Sequence, residues 1–428
     1  MWARLFFWTL FWQTRIPLCC PDSKIDYLIP FLYLSDIIFG FWFSKTLFSA
    51  PARRSLLRFL GQQKKIILLF LFFLLLGFLS FRVSLLPRAS FYRWLRIVEI
   101  FLALIFLTWQ LVEERIKVAF VVRNLVYGLI PLALLGLAEV SLQHSLGFQL
   151  IGEWSFDLST PGIATIVIQG RRWLRPYATF PHPNVFAAAL LTAILLIKGK
   201  PKLFSPWKEK IIVSLFFLTL LATYSRLLIL LTIVLLLIQL TLKYFLSASR
   251  SLQLKKEFFL IFFFLAILAF SPLGIYLGQL WKRPGLSWFQ RRDLFLYGLD
   301  LVQRFPWLGI GLNQFPLWVQ KEGFSRYPFL WAQPVHNLFL LIAVEQGLIS
   351  FFLAVVAFFY FFGRGWWYWG QKKKKAVLYL IPLGLGFLLS SLADHFWWTL
   401  PAGNWLLVLI WSFHWKELII PPPRTSSS

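Results

Sequence analysis

Five histidines occur in the chain, His144, His182, His336, His395 and His414, and His336 occupies the most suggestive place. It lies in Pro334-Val335-His336-Asn337, where a long basic loop meets an apolar run. An imidazole ordinarily titrates near ~6.5, so at neutral pH it can take a proton from a hydroxyl. The same position suits a helix cap shared with Asn337, and both readings stay open. Arg226 follows Tyr224-Ser225 in a very short turn between apolar runs, where a guanidinium either snorkels or pairs with an anion. Arg291 precedes an amphipathic stretch, Leu294, Leu296, Leu299, Leu301 and Val302 with Phe305 beyond, read as a helix along the membrane surface. Guanidinium suits bidentate phosphate contacts; for Arg291 a solvated helix start is the other reading.

Around these groups lie stiff, shaped turns. Pro306, Gly309, Gly311 and Asn313 form a loop whose glycines allow positive φ and close backbone approach. It is not a phosphate-binding P-loop, since no Gly-Lys-Ser/Thr follows. Arg175-Pro-Tyr-Ala-Thr-Phe-Pro-His182-Pro-Asn184 is equally rigid, and Asp394-His395 opens a turn rich in tryptophan. The three histidines with Asp394 match no compact ligand spacing, so no metal is expected. His144 has no expected role, and His414, between Trp411 and Trp415, reads as an interfacial residue.

The elements holding these turns must be membrane helices. Hydrophobic residues make up 59% of the 428, charged residues 14%, and mean hydropathy is +0.71. Too little polar surface exists for a soluble enzyme, a disordered chain or a secreted disulfide scaffold. Cys19 and Cys20 are adjacent and make no disulfide framework or redox pair. No cleavable signal peptide is expected, because Gln13, Thr14 and Arg15 interrupt the apolar start. The reading is an all-α polytopic membrane protein. Spans are expected near 27–44, 65–81, 94–112, 117–140, 183–198, 211–223, 226–242, 257–278, 335–363, 376–393 and 400–416, with 4–20 as a doubtful twelfth.

Forty-three Lys and Arg against 17 Asp and Glu give +26. Lys45, Arg53, Arg54, Arg58 and Lys64 fall in one loop, and Lys200, Lys202, Lys208 and Lys210 in another. Lys243, Arg250, Lys255 and Lys256 fall in a third, and Lys372 to Lys375 in a fourth. Alternation of the spans puts all four on one side, the cytoplasm. Loops 141–182 and 279–334 are then outside, and the second carries Lys282, Arg283, Arg291, Arg292, Arg304, Lys321 and Arg326 against three acids. That excess points to an anionic ligand rather than nucleic acid. The organisation expected is 1–140 N-terminal helices, 141–182 an outer loop, 183–278 central helices, 279–334 a long, partly helical outer loop before the ninth span, 335–416 C-terminal helices and 417–428 a cytoplasmic tail.

In this order, the 175–184 stretch, Tyr224-Ser225-Arg226, the helix from Arg291 ending in the 306–315 turn, His336-Asn337 with Glu345 and Gly347, and Asp394-His395 resemble the O-antigen ligase/polymerase family. Leu34-Ser35-Asp36-Ile37-Ile38 is also similar to that family. One departure is Phe295, where the family usually has Trp. The resemblance implies a metal-independent glycosyltransferase of the bacterial inner membrane, needing no cofactor. It would move a glycan from undecaprenyl diphosphate to a glycan, lipid or protein acceptor on the extracytoplasmic side. It implies His336 as base and Arg226 and Arg291 as diphosphate ligands. Tyr224, Ser225, Arg175, His182, Asn184, Gly309, Gly311, Asn313, Asn337, Asp394 and His395 would support them. Glu345, nine residues past His336, points away from it on a helix and reads as a structural carboxylate. A flippase of lipid-linked sugar and a non-catalytic assembly scaffold are the competing readings.

Overall fold

A computed structural model describes residues 1–18, 26–200, 202–246, 286–323, 325, 327, 330, 332–363 and 374–419. The expected eighth span, Cys19 and Cys20, Arg250, Lys255, Lys256, Lys282, Arg283, Arg326, Lys372, Lys373 and the tail from 420 lie outside the described residues. Helices dominate: α1 Trp2–Thr9, α2 Leu34–Leu47, α3 Ala50–Gln62, α4 Lys64–Leu79, α5 Pro87–Val112, α6 Val118–Leu142, α7 Pro183–Gly199, α8 Pro206–Ala222 and α9 Arg226–Leu246. Then follow α10 Leu286–Arg304, α11 Phe315–Trp318, α12 Leu338–Phe358, α13 Lys374–Ser391, α14 Phe396–Thr399 and α15 Pro401–Ile419. Two short antiparallel pairs complete the fold, β1 Arg15–Pro17 with β2 Phe31–Tyr33, and β3 Thr165–Ile168 with β4 Arg171–Leu174.

Among the described residues five helices are long and apolar enough to cross a membrane: Lys64–Val83, Pro87–Val112, Val118–Leu142, Arg226–Leu246 and Leu338–Gly363. Helices α7 and α13 are apolar but shorter. The chain is a multi-pass membrane protein. On α4 the residues turned outward, Leu68, Leu69, Leu71, Phe72 and Leu75, are as apolar as the buried Phe70 and Phe73, the pattern that a lipid solvent requires. Helix α7 is buried along nearly all its length, and α5 packs on α15 and α13 on α9. Amphipathic α3 exposes Arg53, Arg54 and Arg58 and buries Ala52, Ser55 and Phe59.

Three expectations need correction. Segment 4–20 is no span, because α1 has only eight residues, ~12 Å of rise, and the chain then extends into β1. The helix expected from 27 begins only at Leu34, because residues 26–28 form a short 3-10 turn and Phe31–Tyr33 pair with β1. His414 is not interfacial: it is 1% exposed, with Nδ1 2.8 Å from Ile410 O and Nε2 3.0 Å from Leu380 O.

Candidate active site at one end of the helix bundle

A cavity of about 1230 Å³ opens where α7, α9 and α15 begin and where the first turns of α5 pass. Arg175, His182, Asn184, Tyr224, Ser225, Arg226, Arg291, Asn313, His336, Asp394 and His395 line it. These positions span more than two hundred residues of sequence. Gly309, Gly311 and Asn337 do not line it.

Asn184 ties three turns together. Its Oδ1 accepts from Arg175 Nη2 at 2.9 Å and from Ser225 Oγ at 3.0 Å, and its Nδ2 donates to Asp394 Oδ2 at 3.2 Å. Arg175 Nε donates to Thr223 O at 2.6 Å, which fixes the turn before Arg226. His182 caps α7, its Nδ1 accepting from Asn184 N at 3.1 Å. Burial, followed by the neighbouring Arg175, pushes this imidazole down to about 3, so it stays neutral and its Nδ1 can accept.

Asp394 is the hub of the second group. Its Oδ1 lies 3.4 Å from His336 Nδ1 and accepts from His395 N at 2.8 Å. Its Oδ2 lies 3.9 Å from Arg291 Nη2, and Arg291 Nη1 donates to Ala393 O at 3.1 Å. Burial alone raises the Asp394 carboxyl, but His336, His395 and Arg291 outweigh it and hold the group well below the usual carboxylate range. His395 Nδ1 is 2.6 Å from Thr399 Oγ1, and burial lowers its imidazole to about 3. The rings of His336 and His395 stand 5.1 Å apart. Capping falls to Asn337 alone: its Oδ1 accepts from Leu340 N at 2.9 Å and its Nδ2 donates to Leu392 O at 3.1 Å. His336 is left facing the cavity.

Arg226 is exposed at the first position of α9 and has no hydrogen bond or ion pair among the described residues. Arg291 lies inside α10 rather than at its start, and α10 packs against α12 rather than lying free. Its buried stripe is Leu294, Tyr297 and Leu301, while Leu296 and Leu299 are exposed, contrary to the expected face.

The glycine turn positions α12 instead of touching the cavity. Gly347 breaks α12 with φ +82°, and a Cβ there would collide with Trp307 O. Ile310 N donates to Val344 O at 2.9 Å, Gly311 N to Glu345 O at 3.1 Å, and Leu348 N to Pro306 O at 2.8 Å. These bonds satisfy the broken helix from outside. Glu345 is 3% exposed and its Oε1 accepts from Phe315 N at 3.4 Å, so it serves the same clasp. Asn313 Nδ2 donates to Tyr27 O at 2.6 Å, which joins this turn to the N-terminal segment.

Sequence reasoning missed the other wall of the cavity: Arg15, Tyr27, Tyr33, Tyr92, Arg93 and Arg96. A signal was present, two arginines three apart at the edge of an apolar run. Starting that span at 94 left Arg93 outside it. Ligand atoms of His336, Asp394 and His395 lie within 4.8 Å of one another, a spacing able to hold a cation. Against that, among the described residues the lining carries Arg15, Arg93, Arg96, Arg175, Arg226 and Arg291 with Asp394 as its one carboxylate. The field favours an anion.

The described residues thus form a membrane-embedded helical bundle with a cationic, histidine-containing cavity at one end. Residues 211–355, about a third of the chain, match the O-antigen ligase family model. The match includes Arg226, Arg291, the glycine turn and His336, while Arg175, His182, Asn184, Asp394 and His395 lie beyond it. No curated protein matches the chain.

Proposed function

We propose that the chain is a metal-independent glycosyltransferase that moves a glycan from undecaprenyl diphosphate to an acceptor hydroxyl at the extracytoplasmic face of the inner membrane. The observation that carries this reading is the convergence of His336, Asp394, Arg291 and Arg226 on one cavity. The helix ends support this sidedness: Lys45, Lys64, Lys198, Lys210 and Lys243 sit at the ends remote from the cavity, and such cations favour the cytoplasmic side. In the reaction the acceptor hydroxyl gives its proton to Nε2 of His336, whose Nδ1 faces the Asp394 carboxylate. The acceptor oxygen bonds the anomeric carbon as the bond from that carbon to the diphosphate oxygen breaks. The electron pair leaves on undecaprenyl diphosphate, where Arg226, Arg291 and the N-terminus of α9 answer its charge. A single displacement inverts the anomeric centre.

The test is transfer by the purified full chain in nanodiscs, with a defined lipid-linked donor, competing acceptors and an excess of chelator. Product with an inverted linkage, undiminished by chelator, is expected. Loss of transfer on chelation would move the reaction to a metal at His336, Asp394 and His395. Translocation of donor without transfer would make the chain a transporter, and neither activity beside simple donor binding would leave a scaffold. Which acceptor gains the glycan separates ligase from polymerase.

A further inference from the structure

Arg93 is the cavity group that the reaction above leaves unused. It lies in the second turn of α5, 5% exposed, with its guanidinium 5.0 Å from the Trp398 ring. It lines the cavity, yet its Nε and Nη2 have no hydrogen-bond partner among the described residues. One turn further along the same helix, Arg96 shows what a satisfied arginine looks like here: it meets Asp36 at 2.5 Å and Glu99 at 2.7 Å. Glu345 attracts Arg93 through space, but Glu345 Oε1 is taken by Phe315 N. A guanidinium buried at membrane depth without partners is costly, and an anion entering the cavity would remove that cost.

Charge balance gives the same answer. A diphosphate diester carries one negative charge on each phosphate, matched by Arg226 and Arg291. Arg175 is committed to Thr223 and Asn184. Arg93 is then surplus to the donor. It is held by a different helix, close enough to His395 to act on its charge, and Tyr27 and Tyr92, which also line the cavity, offer aromatic faces suited to sugar rings. Resting on the glycosyl-transfer reading, we propose that Arg93 forms a second anion subsite, which takes a phosphate or carboxylate of the acceptor saccharide and presents the acceptor hydroxyl to His336.

Calorimetry on the full chain in phosphatidylcholine nanodiscs tests this, with glucose 6-phosphate and glucuronate as separate probes. In the Arg226→Ala/Arg291→Ala variant one anion per chain should still bind. Adding Arg93→Gln should weaken that binding at least ~10-fold, and Arg93→Lys should restore part of it, with melting temperatures reporting that each variant is folded. Preference for one probe over the other identifies the anionic group. An affinity changed less than ~2-fold by Arg93→Gln, or no binding in the double variant, overturns the subsite. Probe binding abolished in phosphatidylglycerol nanodiscs overturns the acceptor assignment in favour of a lipid headgroup. In the transfer assay, Arg93→Gln should raise KM for an anionic acceptor ~10-fold while the donor KM stays level. A wild-type protein that transfers nothing overturns the glycosyltransferase reading, and the calorimetric loss on Arg93→Gln would remain to support the anion site itself.

Discussion

The two walls of the cavity treat their polar groups differently. On the wall formed by the 175–184, 223–226 and 393–395 turns, Arg175, Asn184, Ser225 and Asp394 bond chiefly to one another. On the wall formed by α5 and the β1–β2 segment, Arg96 is closed by carboxylates and Arg93 is not. The contrast separates two jobs. A side chain whose hydrogen bonds are spent inside the protein fixes geometry. A charged side chain on the cavity lining without a hydrogen-bond partner among the described residues, such as Arg226 or, at its Nε and Nη2, Arg93, is available for a ligand.

The sharpest break of this division is His336→Ala. It should lower turnover with lipid-linked donor by ~10²- to 10⁴-fold, the usual reach of a general base. Melting temperature should hold, because Asn337 rather than His336 caps α12. Turnover within ~2-fold of wild type would remove His336 from the chemistry. Asp394→Asn comes next. It exchanges the anion facing His336 and Arg291 for a neutral group, and kcat should fall ~10- to 100-fold with little change in donor KM. A KM effect instead would make Asp394 part of the donor site rather than a positioning residue.

Arg226 and Arg291, the arginines proposed to hold the donor, sharpen the comparison within one wall. Arg226 has no partner among the described residues, so Arg226→Ala should raise donor KM ~10-fold at unchanged melting temperature. Arg291 also holds Ala393 O. Arg291→Ala should therefore raise donor KM similarly and lower the melting temperature by ~2–4 °C. Equal thermal effects would mean that both arginines are structural, or that neither is.

Much of the wall formed by the 175–184, 223–226 and 393–395 turns could be read from the sequence because its residues sit in short motifs at the ends of apolar runs. Proline and glycine mark such turns by their backbone limits alone, as Pro181, Pro183 and Gly309 do here. The convergence of the turns was not legible. Asn184 and Asp394 are 210 residues apart, and only the packing of α7 against α13 and α15 brings them together. Arg93 was missed for a different reason. Hydropathy treats a charge at the edge of an apolar run as the end of the span, whereas α5 continues past it to Pro87. The first span was misplaced because β-pairing of the 31–33 segment is non-local, and its apolar residues look the same in a strand as in a helix.

The smallest effect is a thermal one, and it tests whether titration belongs to one wall only. His395 is held neutral in the fold, lowered to about 3 by burial, whereas an unfolded imidazole titrates near ~6.5. Between those values the unfolded chain binds the extra proton, so the stability that neutral His395 contributes is present above ~6.5 and falls steadily as pH drops towards about 3. Asp394, held well below the usual carboxylate range, stays ionised throughout the upper part of that window. His395→Gln should accordingly cost more melting temperature at pH 7 than at pH 5, by ~1–3 °C. Arginine does not titrate there, so any cost of Arg93→Gln should be the same at both pH values. A pH-independent cost for His395→Gln would mean that this imidazole is not kept neutral by its surroundings, and the division between a titrating wall and a permanently charged one would fail.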